Sequence, residues 1–349
     1  MTRVIVIGPP PGSPGGIGIM MEHLSGTLDA KSDYQFVDSG TTQRRLLTFA
    51  KALWTVLRVC EDDAIFHLNL ASRGSTYRKL VIAAVLWRKR KKYVLHLHGA
   101  SYREFYSSSH SIVKRLVRSM FKRSARVLVL GSAWKSFVTE EIGLPGSKVA
   151  VLQNAVPGPQ APPTSSDDPV SMIFIGRSGS RKGVPEILTA LEGLETGSPW
   201  TMTLAGDADS VSMSEMLASS DLVEYTGWIE QDALAILLNR ASIFVLPSHA
   251  EGLPLALLDS MAWGLAPIVT AVGSIGDVIV DGVNGLVVSV GDVDGLRQAM
   301  QRLVEDPELR VRLGNEARRS WEQNFDISSY RSRLEFEYAV ASDYPRTKR

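Results

Sequence analysis

"SIFVLPSHAEGLPLALLDSMAWGLAPIVT", residues 242–270, decides the fold because three elements follow one another within it. "IFVLPS" (243–248) is an almost unbroken apolar run with a β-branched bias, which reads as a strand buried on both faces. Pro254 suits the first turn of a helix that continues to about Trp263 and stops at Gly264. "APIVTA" (266–271) is a second apolar strand. Two acids flank the turn: Glu251 in the loop before the helix and Asp259 in its second turn. An acid near a helix start gains about 0.3–1 kcal/mol from the macrodipole, but that gain fades after the first turn and accounts poorly for Asp259. Free N–H groups at Gly252, Leu253 and Leu255, around Pro254, would favour an anion, which an acid at the same place would repel. Such an acid makes sense if it accepts hydrogen bonds from hydroxyls, as on a sugar.

The same alternation runs through the chain. Strand candidates are 3–8, 34–38, 64–70, 92–99, 126–131 and 149–155 in the first half, and 171–177, 201–206, 223–228, 243–248, 266–271 and 284–288 in the second. Apolar strands separated by helix-length segments predict an α/β protein with parallel, doubly wound sheets covered on both faces. "PGPQAPPTSSDDP" (157–169) continues neither element and reads as an interdomain linker. The expected division is residues 1–160, then 161–325, then a C-terminal helix over 326–349. Carboxyl ends of the strands in two such domains are expected to face a common central cleft.

Composition narrows the class. Of the 349 residues, 44% are hydrophobic and 21% charged, as in ordinary soluble globular proteins. The single Cys60 rules out an intramolecular disulfide framework and fits a reducing cytoplasm. The N-terminal apolar run is too short for a signal-peptide core, and no run approaches the ~18 residues of a membrane span. The net charge of +1 conceals an asymmetry: residues 1–160 hold 23 Lys and Arg against 10 Asp and Glu, while the remainder holds 15 against 27. The first half is expected to face something anionic.

Several motifs fall at strand ends. The glycine-rich "GPPPGSPGGIGIM" permits close backbone approach at Gly15 and Gly16, with a helix starting near Ile17, but does not match the dinucleotide fingerprint. It reads equally as a diphosphate- or acceptor-admitting loop or as a plain strand-to-helix turn. In "FIGRSGSRKGVPEIL", Arg177 and Lys182 precede a helix with Pro185 in its first turn, which reads as a diphosphate clamp or, a little less well, as a solvated basic loop. His96 and His98 share a strand face, yet no carboxylate or Cys stands near to complete a metal set. Asp207 and Asp209 in "AGDAD" read better as turn residues than as metal ligands. "SIVKRLVRSMFKRSARV" (111–127) spaces Ile112, Val113, Leu116, Val117, Met120 and Phe121 as a helical stripe among Lys114, Arg115, Arg118, Lys122 and Arg123. Its stripe faces either the domain core or an anionic lipid surface. The basic stretches contain no recognisable nucleic-acid module.

Taken together, "GGIG", "HLHG", "LQNAV", "FIGRSGSRKG", "LAGDAD", "YTGWI" and the block from "LPSHAEGLPLALLD" to "NGLVV" resemble the retaining glycosyltransferases of family 4, over nearly the whole chain. The resemblance implies the GT-B fold and transfer from a nucleotide diphosphate-sugar, UDP- or GDP-linked, with retention and without metal or other cofactor. It implies that Gly15 and Gly16 meet the donor diphosphate and acceptor, that Asn154 in "LQNAV" lines the substrate site, and that His98 lies near the transferred sugar. Arg177 and Lys182 would hold the diphosphate and Glu251 would contact the sugar. Gly252, Leu253, Pro254 and Leu255 would supply the backbone of the sugar–diphosphate loop, and Asp259 would bind the ribose. The family usually has Glu at this last position, so the reach is one methylene shorter. A glycan acceptor, polyprenyl-diphosphate-linked, and work at the cytoplasmic face of the plasma membrane are further implications. The final helix is expected to cross back to the N-terminal domain. Two other functions suit the same fold: a sugar-nucleotide epimerase or hydrolase, and a non-catalytic membrane-docked scaffold.

Overall fold

The computed structural model describes residues 3–29, 31–40, 45–59, 61, 63–161 and 169–344. Cys60 and linker residues 162–168 lie outside them.

In the first half, β1 (Val4–Gly8), β2 (Tyr34–Asp38), β3 (Ile65–Leu70), β4 (Lys92–Leu97), β5 (Arg126–Val129) and β6 (Val149–Val151) form one sheet in the order β2-β1-β3-β4-β5-β6. All its pairings are parallel. The intervening helices are α1 (Gly16–Gly26), α2 (Arg45–Arg58), α3 (Gly74–Arg88), α4 (Tyr102–Ser108), α5 (Ser111–Arg123) and α6 (Ser132–Ser136). Every residue of β1 and β3 is buried, the consequence of helices on both sides and the reason these strands read as unbroken apolar runs.

The second half repeats the plan. Strands β7 (Val170–Ile175), β8 (Trp200–Ala205), β9 (Glu224–Gly227), β10 (Ile243–Leu246), β11 (Ala266–Thr270) and β12 (Leu286–Val288) pair in the order β12-β11-β10-β7-β8-β9, again all parallel. They alternate with α7 (Val184–Glu192), α8 (Val211–Ala218), α9 (Gln231–Arg240), α10 (Leu255–Ala262), α11 (Val293–Glu305) and α12 (Pro307–Asn324). Local chemistry sets the helix ends. The Asp306 side chain caps α12 by accepting from Leu309 N at 2.9 Å, with Pro307 in the first turn. Gly264, at φ 74°, ends α10.

Both sheets reverse direction of winding once, between β1 and β3 and between β7 and β10. At such a switch point the loops leave in opposite directions and open a crevice beyond the carboxyl ends of the strands.

The chain divides into two units, one of residues up to Ala155 together with those from Ile327, the other Val156–Asp326. Residues 156–160, placed by the sequence in the first domain, pack in the second. Val156 N donates to Phe325 O at 3.0 Å, and Pro159 O accepts from Arg318 Nη2 at 2.9 Å. A Cβ at Gly158 would fall 2.7 Å from the Trp321 ring, so this stretch lies flat against α12. The last helix, α13 (Ile327–Asp343), packs on β3, β4 and β5 of the first sheet and buries Tyr330, Leu334, Tyr338 and Ala341. Arg126 and Glu337 clasp it there at 2.5 Å.

Candidate functional site

In the second unit the switch point between β7 and β10 gathers the charged residues. The chain leaves β7 through exposed Arg177, makes a short 3₁₀ turn at Ser180–Lys182 and enters α7. Gly183 sits between turn and helix at φ 74°, where a Cβ would be 2.3 Å from Pro247 O. Only glycine lets this helix start abut the loop that follows β10. Lys182 Nζ thereby reaches Glu251 Oε1 at 2.5 Å, and Arg181 Nη1 stands 3.7 Å from the same oxygen. Ser248 Oγ donates to it at 3.0 Å, and Thr270 Oγ1 donates to Ser248 O at 2.5 Å. The Lys182 and Glu251 side chains are only 11% and 7% exposed, so each charge depends on the other. Arg181 also donates to Ala250 O at 2.8 Å and accepts at its own carbonyl from His249 N at 2.9 Å, tying the two loops together.

The backbone after Glu251 is held from below. Gly252 O accepts from Ser274 N at 2.8 Å, and a Cβ at Gly273, φ 61°, would lie 2.0 Å from Glu251 O. Gly252, Leu253, Pro254 and Leu255 are all buried. Pro254 is the N-cap of α10, one position earlier than expected, and Asp259 lies in the second turn. Asp259 is half-buried, and burial pushes its carboxyl up to about 7. Exposed Asp207 and Asp209 occupy the turn after β8, whose backbone pairs with Ser178 at 2.8 Å in both directions. Among the described residues no group of His, Cys, Asp and Glu is arranged to hold a metal ion.

In the first unit, Gly15 is the N-cap of α1 at φ 97° and Gly16 its first residue. Both are exposed, with open space where a side chain would go. Asn154 is buried just beyond β6. His98 follows β4, its N–H donating to Leu70 O at 2.9 Å. Its ring lies 3.9 Å from that of His96, and its Nε2 is 3.0 Å from Asn69 Oδ1. Burial, and then the neighbouring His67, hold His98 below the usual histidine range, so the ring is neutral near pH 7.

Thus Lys182, Glu251 and the Gly252–Leu255 backbone come together in one unit, while Gly15 and Gly16, Asn154 and His98 belong to the other, after β1, β6 and β4 respectively. Sequence reasoning missed Arg181, Ser248, His67 and Asn69. A signal existed for the last two: "FHLNL" has the same two-residue spacing as "HLH" on the adjacent strand.

Helix α5 divides its apolar stripe. Val117, Met120 and Phe121 are buried, whereas Ile112 and Leu116 are 59% and 50% exposed. Lys114 Nζ donates to Ser107 O, Arg118 to Glu141 O, and Arg123 lies 3.8 Å from the Trp87 ring. Arg115 and Lys122 are exposed. Helix α5 packs beside α3, and α3 beside α2. None of the three contains an acidic residue, and α2 exposes Leu46, Leu47, Trp54 and Leu57. Among the described residues no helix is long and apolar enough to cross a membrane.

Residues 160–320 match the family model for glycosyl transferases group 1, and residues 15–157 match that for Glycosyltransferase Family 4. A glycogen synthase from Mycobacterium tuberculosis is 26% identical over 228 residues, covering 62% of this chain and 53% of the relative. The chain thus spans about half the length of that relative. A sucrose-phosphate synthase from Thermosynechococcus elongatus superposes with TM-score 0.80 at 16% identity, covering 97% of this chain and 98% of its own. Anabaena HepE, solved in complex with UDP-glucose, superposes with TM-score 0.76 at 16% identity, covering 97% and 100%. With both sheets in this architecture and a family model on each half, the chain belongs to the group 1, family 4 glycosyltransferases and has their GT-B fold.

Proposed function

We propose that this protein transfers a sugar from a UDP- or GDP-sugar to a glycan acceptor, with the donor's anomeric configuration retained and no metal required. The observation that carries the reading is the Lys182–Glu251 pair, set beside a glycine-admitted helix start at the β7/β10 switch point. Lys182 and Arg177 suit a diphosphate, a point charge and a planar fork respectively. Glu251 suits sugar hydroxyls, and Asp259 a ribose. In the reaction the bond from the sugar's anomeric carbon to the phosphate oxygen breaks, and the bond to the acceptor oxygen forms on the same face. The electron pair of the broken bond stays on the leaving diphosphate, which takes the acceptor hydroxyl's proton. Lys182, Arg177 and backbone N–H groups stabilise the charge that develops there. HepE binding UDP-glucose supports a nucleotide-sugar donor for a chain of the same fold.

The acceptor we propose is polyprenyl-diphosphate-linked, in bacterial-type surface polysaccharide synthesis, with the protein peripheral on the cytoplasmic membrane face. The acid-free helices α2, α3 and α5, with their exposed apolar residues, support an anionic lipid surface as the partner. The test incubates the chain with a panel of UDP- and GDP-sugars and a bacterial lipid extract, with and without EDTA, and follows lipid-linked product by mass spectrometry. Transfer insensitive to EDTA is expected, with Lys182→Ala slowing it by about 10²–10³-fold. Absence of both transfer and calorimetric nucleotide-sugar binding would sink the proposal. Acceptor-independent turnover of the donor would select the epimerase or hydrolase reading instead.

A further inference from the structure

Beneath His98 lies a polar column that the reaction above does not use. His67 and Asn69 on β3, and His96 and His98 at β4, alternate onto one face of the first sheet. We propose that Asn69 is a positioning residue for His98: it fixes the ring as the Nε2–H tautomer, leaves Nδ1 bare as an acceptor for a substrate hydroxyl, and is itself braced through His67 to Tyr338 on α13. The inference rests on the proposed function only in giving His98 a substrate to face.

The Asn69 amide can point only one way. Its Nδ2 lies 3.3 Å from Met21 Sδ, a thioether that can accept a hydrogen bond weakly and can never donate one. Turning the amide over would set oxygen lone pairs against sulfur lone pairs. Gly8 makes the room: a Cβ there would lie 2.8 Å from Asn69 Cβ and 3.0 Å from Nδ2. With Nδ2 committed to Met21, Asn69 Oδ1 faces His67 Nε2 at 3.1 Å and His98 Nε2 at 3.0 Å. A carbonyl oxygen has two lone pairs and no proton, so both imidazoles must carry their proton on Nε2. The bare Nδ1 of His67 is then the acceptor for the Tyr338 hydroxyl at 2.6 Å. Desolvation lowers His67 to about 4 and depresses His98 as well, so each ring holds one proton near neutrality and its position is a real choice. That position decides whether Nδ1 of the half-buried His98 carries a lone pair or an N–H.

The test is a long-range ¹H–¹⁵N correlation spectrum of the ligand-free full chain labelled with ¹⁵N-histidine at pH 7, with His98 assigned by difference from His98→Gln. The wild type is expected to show His98 and His67 as Nε2–H tautomers. Asn69→Leu should move His98 to a mixture, and Tyr338→Phe should shift the His67 Nδ1 resonance. Sugar transfer by Asn69→Leu should fall about tenfold in kcat/KM, the effect of misorienting one hydrogen bond. A wild-type His98 protonated on Nδ1 overturns the proposal even if Asn69→Leu fails to fold, and so does a His98 tautomer unmoved by Asn69→Leu. The spectrum needs no substrate, so its outcome does not depend on whether the transfer assay succeeds.

Discussion

At the scale of single residues, Asp259 is a group whose charge the fold opposes. It lies a turn past the reach of the α10 N-terminus, and burial raises its carboxyl from 3.8 to about 7. Below about pH 4 it is protonated folded or unfolded. Between there and about pH 7 the folded state binds more protons than the unfolded one, so stability falls as pH rises, and the full cost stands above about 7. Asp259→Asn is therefore expected to gain about 2 kcal/mol on the wild type at pH 8 relative to pH 4 in denaturant melts, a figure reduced for partial exposure. An identical difference at both pH values would show that burial does not govern this carboxyl. The identity of the charged residues was legible from their motifs, but their pairing was not. Lys182 and Glu251 belong to separate strand-to-helix loops, and only the β7–β10 adjacency brings them to 2.5 Å. Strand runs are written locally in apolar residues, whereas strand order is settled by packing between distant segments.

At the scale of elements, α5 shows why an amphipathic pattern leaves its partner open. Six apolar positions form one stripe in sequence, but the fold covers only part of it, leaving Ile112 and Leu116 out among the cations. Arg123 on the Trp87 ring links this helix to α3. The expected outcome of neutralising Lys114, Arg115, Arg118, Lys122 and Arg123 is release from anionic liposomes, each well-placed cation contributing about 1 kcal/mol. Unchanged co-sedimentation at physiological salt would refute the docking role. Neutral liposomes should bind wild type and variant alike. The linker shows the opposite limit. Its Pro-rich composition announced an interruption, but not that residues 156–160 would lie down on α12, because the bonds that hold them come from Arg318 and Phe325 far along the chain.

At the scale of the whole molecule, one unit is continuous and the other is built from two separate stretches of chain. Helix α13 supplies the first sheet with Tyr330, Leu334 and Tyr338, and Tyr338 reaches the buried His67. Residues 156–326 expressed alone are expected to fold cooperatively and bind UDP or GDP. Residues 1–155 alone are expected to lack a cooperative melt by circular dichroism until a 327–349 peptide is added. A sharp melt of 1–155 by itself would show that α13 is dispensable. The same discontinuity has a meaning during synthesis. A ribosome adding about 5–20 residues per second needs on the order of ten seconds or more to make residues 156–326. Throughout that interval the nascent first sheet lacks α13, the helix that packs on β3, β4 and β5, while the later unit has all of its own segments. The unit whose synthesis begins first is therefore the last to have all of its chain.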